Sequence, residues 1–163
     1  MAVKKFNLYA AKILTYLYEN FPTPKDIDTY NFVKKEDMDE EIPMKYYDND
    51  ETYINLSMEP DATGNTIPQD EVYNRICSNT IWWLENEGFI SFAKPDARAT
   101  GANYDGFFLR VVITGKGLTA LQKGVLCGDE SRPIIEIIKE AIINNSMNTI
   151  WNLPSILYKA LNL

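Results

Sequence analysis

Few residues in this 163-residue chain are equipped for covalent or acid–base chemistry. Histidine is absent. That removes imidazole zinc sites, Ser-His and Cys-His nucleophile pairs and imidazole acid–base catalysis. Cys77 and Cys127 are the two cysteines. They cannot form a disulfide framework or a four-thiolate metal site, and they read as reduced, partly buried thiols. Ser78, Ser131 and Cys77 have no imidazole to activate them. Paired carboxylates could move protons, but only inside a concave site.

Two stretches imitate ligand loops and fail on context. Residues 111–120 set an apolar run ahead of Gly115-x-Gly117-x-x-Ala120, the spacing of a dinucleotide fingerprint. That motif lays a pyrophosphate on a helix amino end within a strand–helix–strand unit. Here only Val125, Leu126 and Cys127 separate Gly124 from Gly128, too short a run for a second parallel strand. The glycines instead read as a tight strand-to-helix turn capped by Thr114. Gly115-Lys116-Gly117 lacks the earlier glycine, the spacer and the final Ser or Thr of a P-loop. A calcium loop started at Asp26 puts Asn31, and one started at Asp48 puts Tyr53, where the sharp turn needs glycine. The sequence therefore predicts no enzyme, no cofactor, no metal and no small-molecule substrate.

What remains is binding, and charge bears on it. Sixteen bases against 23 acids give a net charge of −7, and 45% of residues are apolar, as in one globular domain. The charge is concentrated: residues 36–71 hold twelve acids against the single base Lys45, a net −11. The default reading of such a run is a solvated loop. The amino end has no apolar leader and no run of about 18 apolar residues exists, so a cytoplasmic protein without a membrane span is expected.

The elements that would position binding groups follow from periodicity. Ala10, Ile13, Leu14, Leu17 and Phe21 mark one helical stripe over 8–20, with Asn7 as cap and Phe21-Pro22-Thr23-Pro24 as terminator. Pro24 suits the first turn of a short second helix, capped by Thr23, with Ile27, Tyr30 and Phe32 on its apolar side. Residues 34–68 read as an acidic insertion containing one short strand, where Ile54, Leu56 and Met58 alternate with Asn55 and Ser57. Residues 69–87 form the strongest helix, with rows Val72, Ile76, Thr80, Leu84 and Tyr73, Cys77, Ile81, ended by Gly88. Trp82 and Trp83 are neighbours on it and point about 100° apart. Residues 89–93 and 107–113 read as a hairpin with a long loop. In its second strand Leu109, Val111 and Ile113 point one way and Phe108, Arg110 and Val112 the other. Thr114 caps a helix carrying Leu118 and Leu121 that Gly124 ends. Pro133 precedes an apolar helix, and a last apolar segment runs from Ile150 to Leu161.

Helix, short helix, long helix, hairpin, helix resembles the order of a winged helix-turn-helix domain. Trp83-Leu84-Glu85-Asn86-Glu87-Gly88-Phe89-Ile90 resembles the end of such a domain's third helix entering its first wing strand. Val112-Ile113-Thr114-Gly115-Lys116-Gly117-Leu118-Thr119-Ala120-Leu121 resembles the return strand and the Leu-Thr-x-x-Gly helix start, with Ile113 in place of the Leu. The resemblance implies an α+β, mostly helical fold. Residues 1–124 would form the winged core, interrupted by the insertion at 34–68. Residues 125–163 would form a helical extension packing on that core or on a dimer partner.

It also implies where DNA would sit. The third helix offers Gln69, Asn74, Arg75, Ser78 and Asn79, of which Asn and Arg are good base readers. The wing offers Lys94, Arg98, Arg110 and Lys116 against Asp96 and Asp105, a surplus of two charges. So small a surplus supports only weak, salt-sensitive DNA binding, and the acidic insertion would repel a duplex if it folds on the same side. The competing reading is a protein interface anchored by Tyr46, Tyr47, Trp82, Trp83, Tyr104 and Trp151, since aromatics dominate interface energy. The expectation is thus a non-catalytic interaction or regulatory module that mainly binds a protein partner, inhibitor- or immunity-like, or self-associates through its carboxyl-terminal helices. A DNA-binding regulator is the alternative.

Overall fold

The computed structural model describes residues 2–34, 45–47, 53–55, 69–93, 106–127, 129–144, 146 and 152–162; at residues 2, 45–47, 53–55, 69–71, 126 and 127 it describes the backbone alone. The chain is α+β and mostly helical. Helix α1 spans Ala2–Asn20 and buries Tyr9, Ala10, Ile13, Leu14 and Leu17. It begins well before its expected start. Asn7 is not its cap but a buried residue within it. The extra turn carries Phe6, whose ring meets Trp83 edge-on at 5.0 Å, so a tertiary contact extends the helix where propensity alone set no boundary.

The short second helix is not there. Lys25–Asp28 forms strand β1, and Thr29–Asn31 is a single 3₁₀ turn. Asp28 caps that turn by accepting from the Tyr30 N–H at 3.1 Å. Proline 24 is compatible with either outcome. An available strand edge decided it: Ile27 lies opposite Phe108, and both are buried.

Within the acidic insertion, β2 (Lys45–Tyr47) and β3 (Tyr53–Asn55) pair antiparallel, with Tyr46 opposite Ile54. One strand was expected, and the described residues of the insertion form two; Leu56 and Met58 lie outside them. Helix α2 spans Gln69–Asn86. Its end is tied by Gly88 N–H to Glu85 O and Phe89 N–H to Leu84 O, both 2.9 Å, the paired bonds of a Schellman motif.

Strands β4 (Ile90–Ala93) and β5 (Phe107–Ile113) form the expected hairpin, and β1 adds to β5, giving sheet order β1-β5-β4. The expected facing of β5 fails at one residue. Lys25 and Ile27 lie opposite Val111 and Phe108, and Ser91 and Ala93 lie opposite Val112 and Leu109. Two steps on each neighbour thus match three on β5, the signature of a bulge. It sits at Arg110, whose φ is +53°. Phe108, Val111 and Ile113 consequently face the core, and Leu109 is turned outward.

Helix α3 (Gly115–Gln122) starts as expected: the Thr114 hydroxyl accepts from Gly117 N–H at 3.1 Å. After it, β6 (Gly124–Cys127) and β7 (Glu130–Pro133) pair antiparallel, so the stretch read as purely helical opens with a hairpin. Helices α4 (Ile134–Ile143) and α5 (Leu153–Asn162) follow. Ile134, Ile135, Ile138 and Ala141 of α4 and Leu153, Leu157 and Ala160 of α5 enter the same hydrophobic cluster as α1, α2 and the sheet. Helix α4 rests on α1, and α5 rests on α3 and α1. No helix among the described residues is long and apolar enough to cross a membrane.

Candidate interaction face

Helix α2 is wedged between α1 on one side and the 3₁₀ turn with β4 on the other. Its buried arc is therefore wide, covering Val72, Tyr73, Asn74, Ile76, Cys77, Thr80, Ile81 and Leu84. The opposite stripe, Asn79, Trp82 and Asn86, faces solvent, and Arg75, Ser78 and Glu85 flank it half-buried. The helix turns by about 100° per residue, which separates the two tryptophans. Trp83 turns inward, edge-on to Phe6 and 6.1 Å from the stacked ring of Phe89. Trp82 is 38% exposed. Its ring is fixed edge-on by Phe92 at 5.1 Å and Phe108 at 6.0 Å. Edge-to-face pairs of this kind each contribute about 0.5–1.5 kcal/mol beyond area burial, so Trp82 is a rigid aromatic group at the mouth of the helix–hairpin junction.

Several residues expected to touch DNA are committed elsewhere. Asn74 is only 5% exposed, and its side-chain oxygen accepts from the Thr29 hydroxyl. A base reader must present both amide atoms to a groove, and this one is spent on joining α2 to the 3₁₀ turn. Beside it Gly106, at φ +79°, donates no side chain to a crowded spot. A Cβ there would run into Thr29 Oγ1 and close on Ser78 Oγ, and Thr29 N–H donates to the Gly106 carbonyl at 2.9 Å. Thr29, Asn74 and Ser78 thus ring the root of the β4–β5 loop in a buried polar junction.

Lys116, expected at the phosphate backbone, is a clamp. Its Nζ donates to the Glu87 carbonyl at 2.6 Å and lies 5.0 Å from the Phe89 ring centre and 5.9 Å from that of Tyr158. A cation at a helix carboxyl terminus is favoured by the helix dipole. The Tyr158 hydroxyl of α5 completes the clamp by donating to the Glu87 carboxylate. A Cβ at Gly117 would strike the Phe89 carbonyl oxygen, so the Gly-x-Gly spacing serves close packing of α3 on the end of α2. Because β6 pairs antiparallel with β7, the unit is not the one a dinucleotide fingerprint requires.

Arg110 is exposed, and its backbone N–H donates to Asp26 Oδ1 at 2.9 Å, which sets a carboxylate beside it. The side chains of Gln69, Lys94, Arg98, Tyr46, Tyr47, Tyr104 and Trp151 lie outside the described residues. Cys77 is fully buried. Burial pushes its thiol up to about 12, against a smaller opposing pull from Lys12, so it has no nucleophilic character at neutral pH. Among the described residues no group of three or more His, Cys, Asp or Glu could hold a metal ion.

Sequence reasoning missed the outward apolar pair Phe107 and Leu109 on β5, because strict alternation set Leu109 on one face with Val111 and Ile113. The bulge carries no sequence signal of its own. The chain matches no protein-family model, no curated protein and no solved structure.

Proposed function

We propose that this chain is a non-catalytic interaction module of winged helix-turn-helix type that acts mainly by binding a protein partner through the outer face of α2. The architectural part of this reading draws support from a helix, a strand, a long helix and a hairpin in that order, with sheet order β1-β5-β4. The compact second helix of such domains is reduced here to one 3₁₀ turn. A cytoplasmic location goes with the reading.

The observation that carries it is Trp82, held rigid by Phe92 and Phe108 and left open to solvent. Interface energy concentrates in such preorganised aromatic anchors. A DNA-binding regulator is the second reading, favoured by Arg75, Ser78 and Asn79 on or beside the same stripe. It is weakened by the internal commitments of Asn74 and Lys116. A salt titration with a labelled DNA duplex separates the two. Binding weaker than micromolar at about 150 mM salt is expected, because so few phosphates can be neutralised. Sub-micromolar binding lost in Arg75→Ala, Lys94→Ala and Arg98→Ala would reverse the order of the two readings.

A further inference from the structure

The two edges of the three-stranded sheet are built differently. Strand β1 is guarded. Pro22 and Pro24 precede it, Lys25, Asp26 and Asp28 charge it, and the Asp26 carboxylate accepts the Arg110 N–H. Prolines and charges of this kind keep an edge from recruiting another strand. Strand β4 forms the opposite edge. Its residues, Ile90-Ser91-Phe92-Ala93, include no charge and no proline, and the bare stretch ends in the sequence at Lys94-Pro95. The register states which of its backbone groups point outward. The Phe89 carbonyl accepts from Thr114 N–H at 3.1 Å, and Ser91 lies opposite Val112. Phe89 and Ser91 therefore bond towards β5, and the N–H and C=O of Ile90 and Phe92 point away from it. Among the described residues no strand takes them up.

We infer that β4 pairs antiparallel with β4 of a second copy of this chain, about a two-fold axis at Ser91. That register engages the outward groups of Ile90 and Phe92 in both copies within the strand's own length. Ile90 lies opposite Phe92 of the second copy, and each such pair exchanges both backbone bonds. The side chains suit their own copies. On the buried face an aromatic residue meets a β-branched one, and on the exposed face Ser91 meets Ser91, both favourable cross-strand pairs. No like charges oppose each other along the four residues. Such an isologous contact uses up the bare edge of both copies and leaves the guarded β1 edges outside, so assembly stops at the dimer. This goes beyond the α2 reading: it rests on β4 alone and stands whether or not Trp82 binds a partner.

Light scattering on the full-length chain over a concentration series tests it. Wild type should pass from monomer to dimer as concentration rises. Ser91→Lys and Ser91→Glu each change one exposed side chain and should stay monomeric, because like charges then meet across the axis. An equimolar mixture of the two should dimerise again, which shows that both variants are folded. Cross-linking reads the register, in a Cys127→Ser background with Cys77 buried. The two Ser91 Cα atoms of such a pair lie about 4.5 Å apart, within disulfide reach, so Ser91→Cys should give a covalent dimer on mild oxidation with diamide. Ala93→Cys is also exposed and should not, because its counterpart lies about 14 Å away along the strands. A wild type monomeric at every concentration, a Ser91→Lys variant that dimerises as well as wild type, or Ala93→Cys cross-linking as fast as Ser91→Cys would overturn the inference.

Discussion

Burial decides what single side chains can do in this protein. Cys77 is the sharpest case, its thiol pushed up to about 12 from an ordinary 9.0. In the unfolded chain that thiol ionises near its ordinary value, while the folded chain still holds the proton. The folded state therefore binds more protons between about pH 9 and pH 12, and stability falls as pH rises through that window by up to about 1.4 kcal/mol per pH unit. Wild type should lose more stability than Cys77→Ala between about pH 8 and pH 10.5, measured by urea denaturation at each pH. Parallel slopes for the two proteins would contradict the shift. Asn74 makes the same point in polar form. Its residue type promises base recognition, and its position, fixed by the width of α2's buried arc, converts it into a brace for Thr29.

Elements here are set by their neighbours as much as by their own residues. The segment after Pro24 is a strand because β5 offers an edge to it, and β5 in turn changes face at Arg110 because of a bulge. The left-handed backbone at that residue is paid for by the bond from its N–H to Asp26. Arg110→Gly should leave the fold intact and change stability by less than about 1 kcal/mol, because glycine adopts that conformation freely. Arg110→Val, branched at Cβ, should cost more than about 1 kcal/mol. Thermal melts of the two variants read the difference, and equal losses would show that the bulge moves rather than strains. Lys116, Glu87 and Tyr158 similarly lock α3, the end of α2 and α5 into one unit. Thr114 adds a bond to the Gly88 carbonyl.

For the whole molecule, the carboxyl-terminal helices belong to the core. Leu153, Leu157 and Ala160 are buried in the same cluster as Leu14 and Leu121. Arg132 with Glu140 at 2.7 Å, and Lys139 with Glu19 at 3.2 Å, fasten α4 at its surface. Each large apolar side chain uncovered from such a core costs about 1.5–3 kcal/mol, and a domain of this size has about 5–15 kcal/mol in reserve. Deleting residues 134–163 should therefore leave the chain unfolded at room temperature, as followed by circular dichroism. A truncated protein that stays folded and turns from dimer to monomer by light scattering would make the extension a dimerisation arm instead. Among the described residues of the extension, Ile143 is the large apolar side chain most open to such a role, 81% exposed at the end of α4.

Local pattern was enough for part of this protein. The 3.6-residue spacing of Ile13, Leu14 and Leu17 and of Val72, Ile76 and Leu84, the cap at Thr114, the stop at Gly88 and the pile-up of carboxylates in 36–71 are all legible in the residues themselves, because each rests on contacts within a few positions of the chain. The candidate face was legible only in outline. Trp82 and Trp83 stood out as a pair, and nothing local distinguishes the anchor from the core residue. That choice, the strand at Lys25–Asp28, the reversal at Arg110, the burial of Asn74 and the engagement of Lys116 were made by tertiary partners, among them Asp26 for Arg110, Thr29 for Asn74 and Glu87 for Lys116, 84, 45 and 29 positions away. A residue's helical or strand rhythm states which face it shares; only the packing of distant segments states which face is covered.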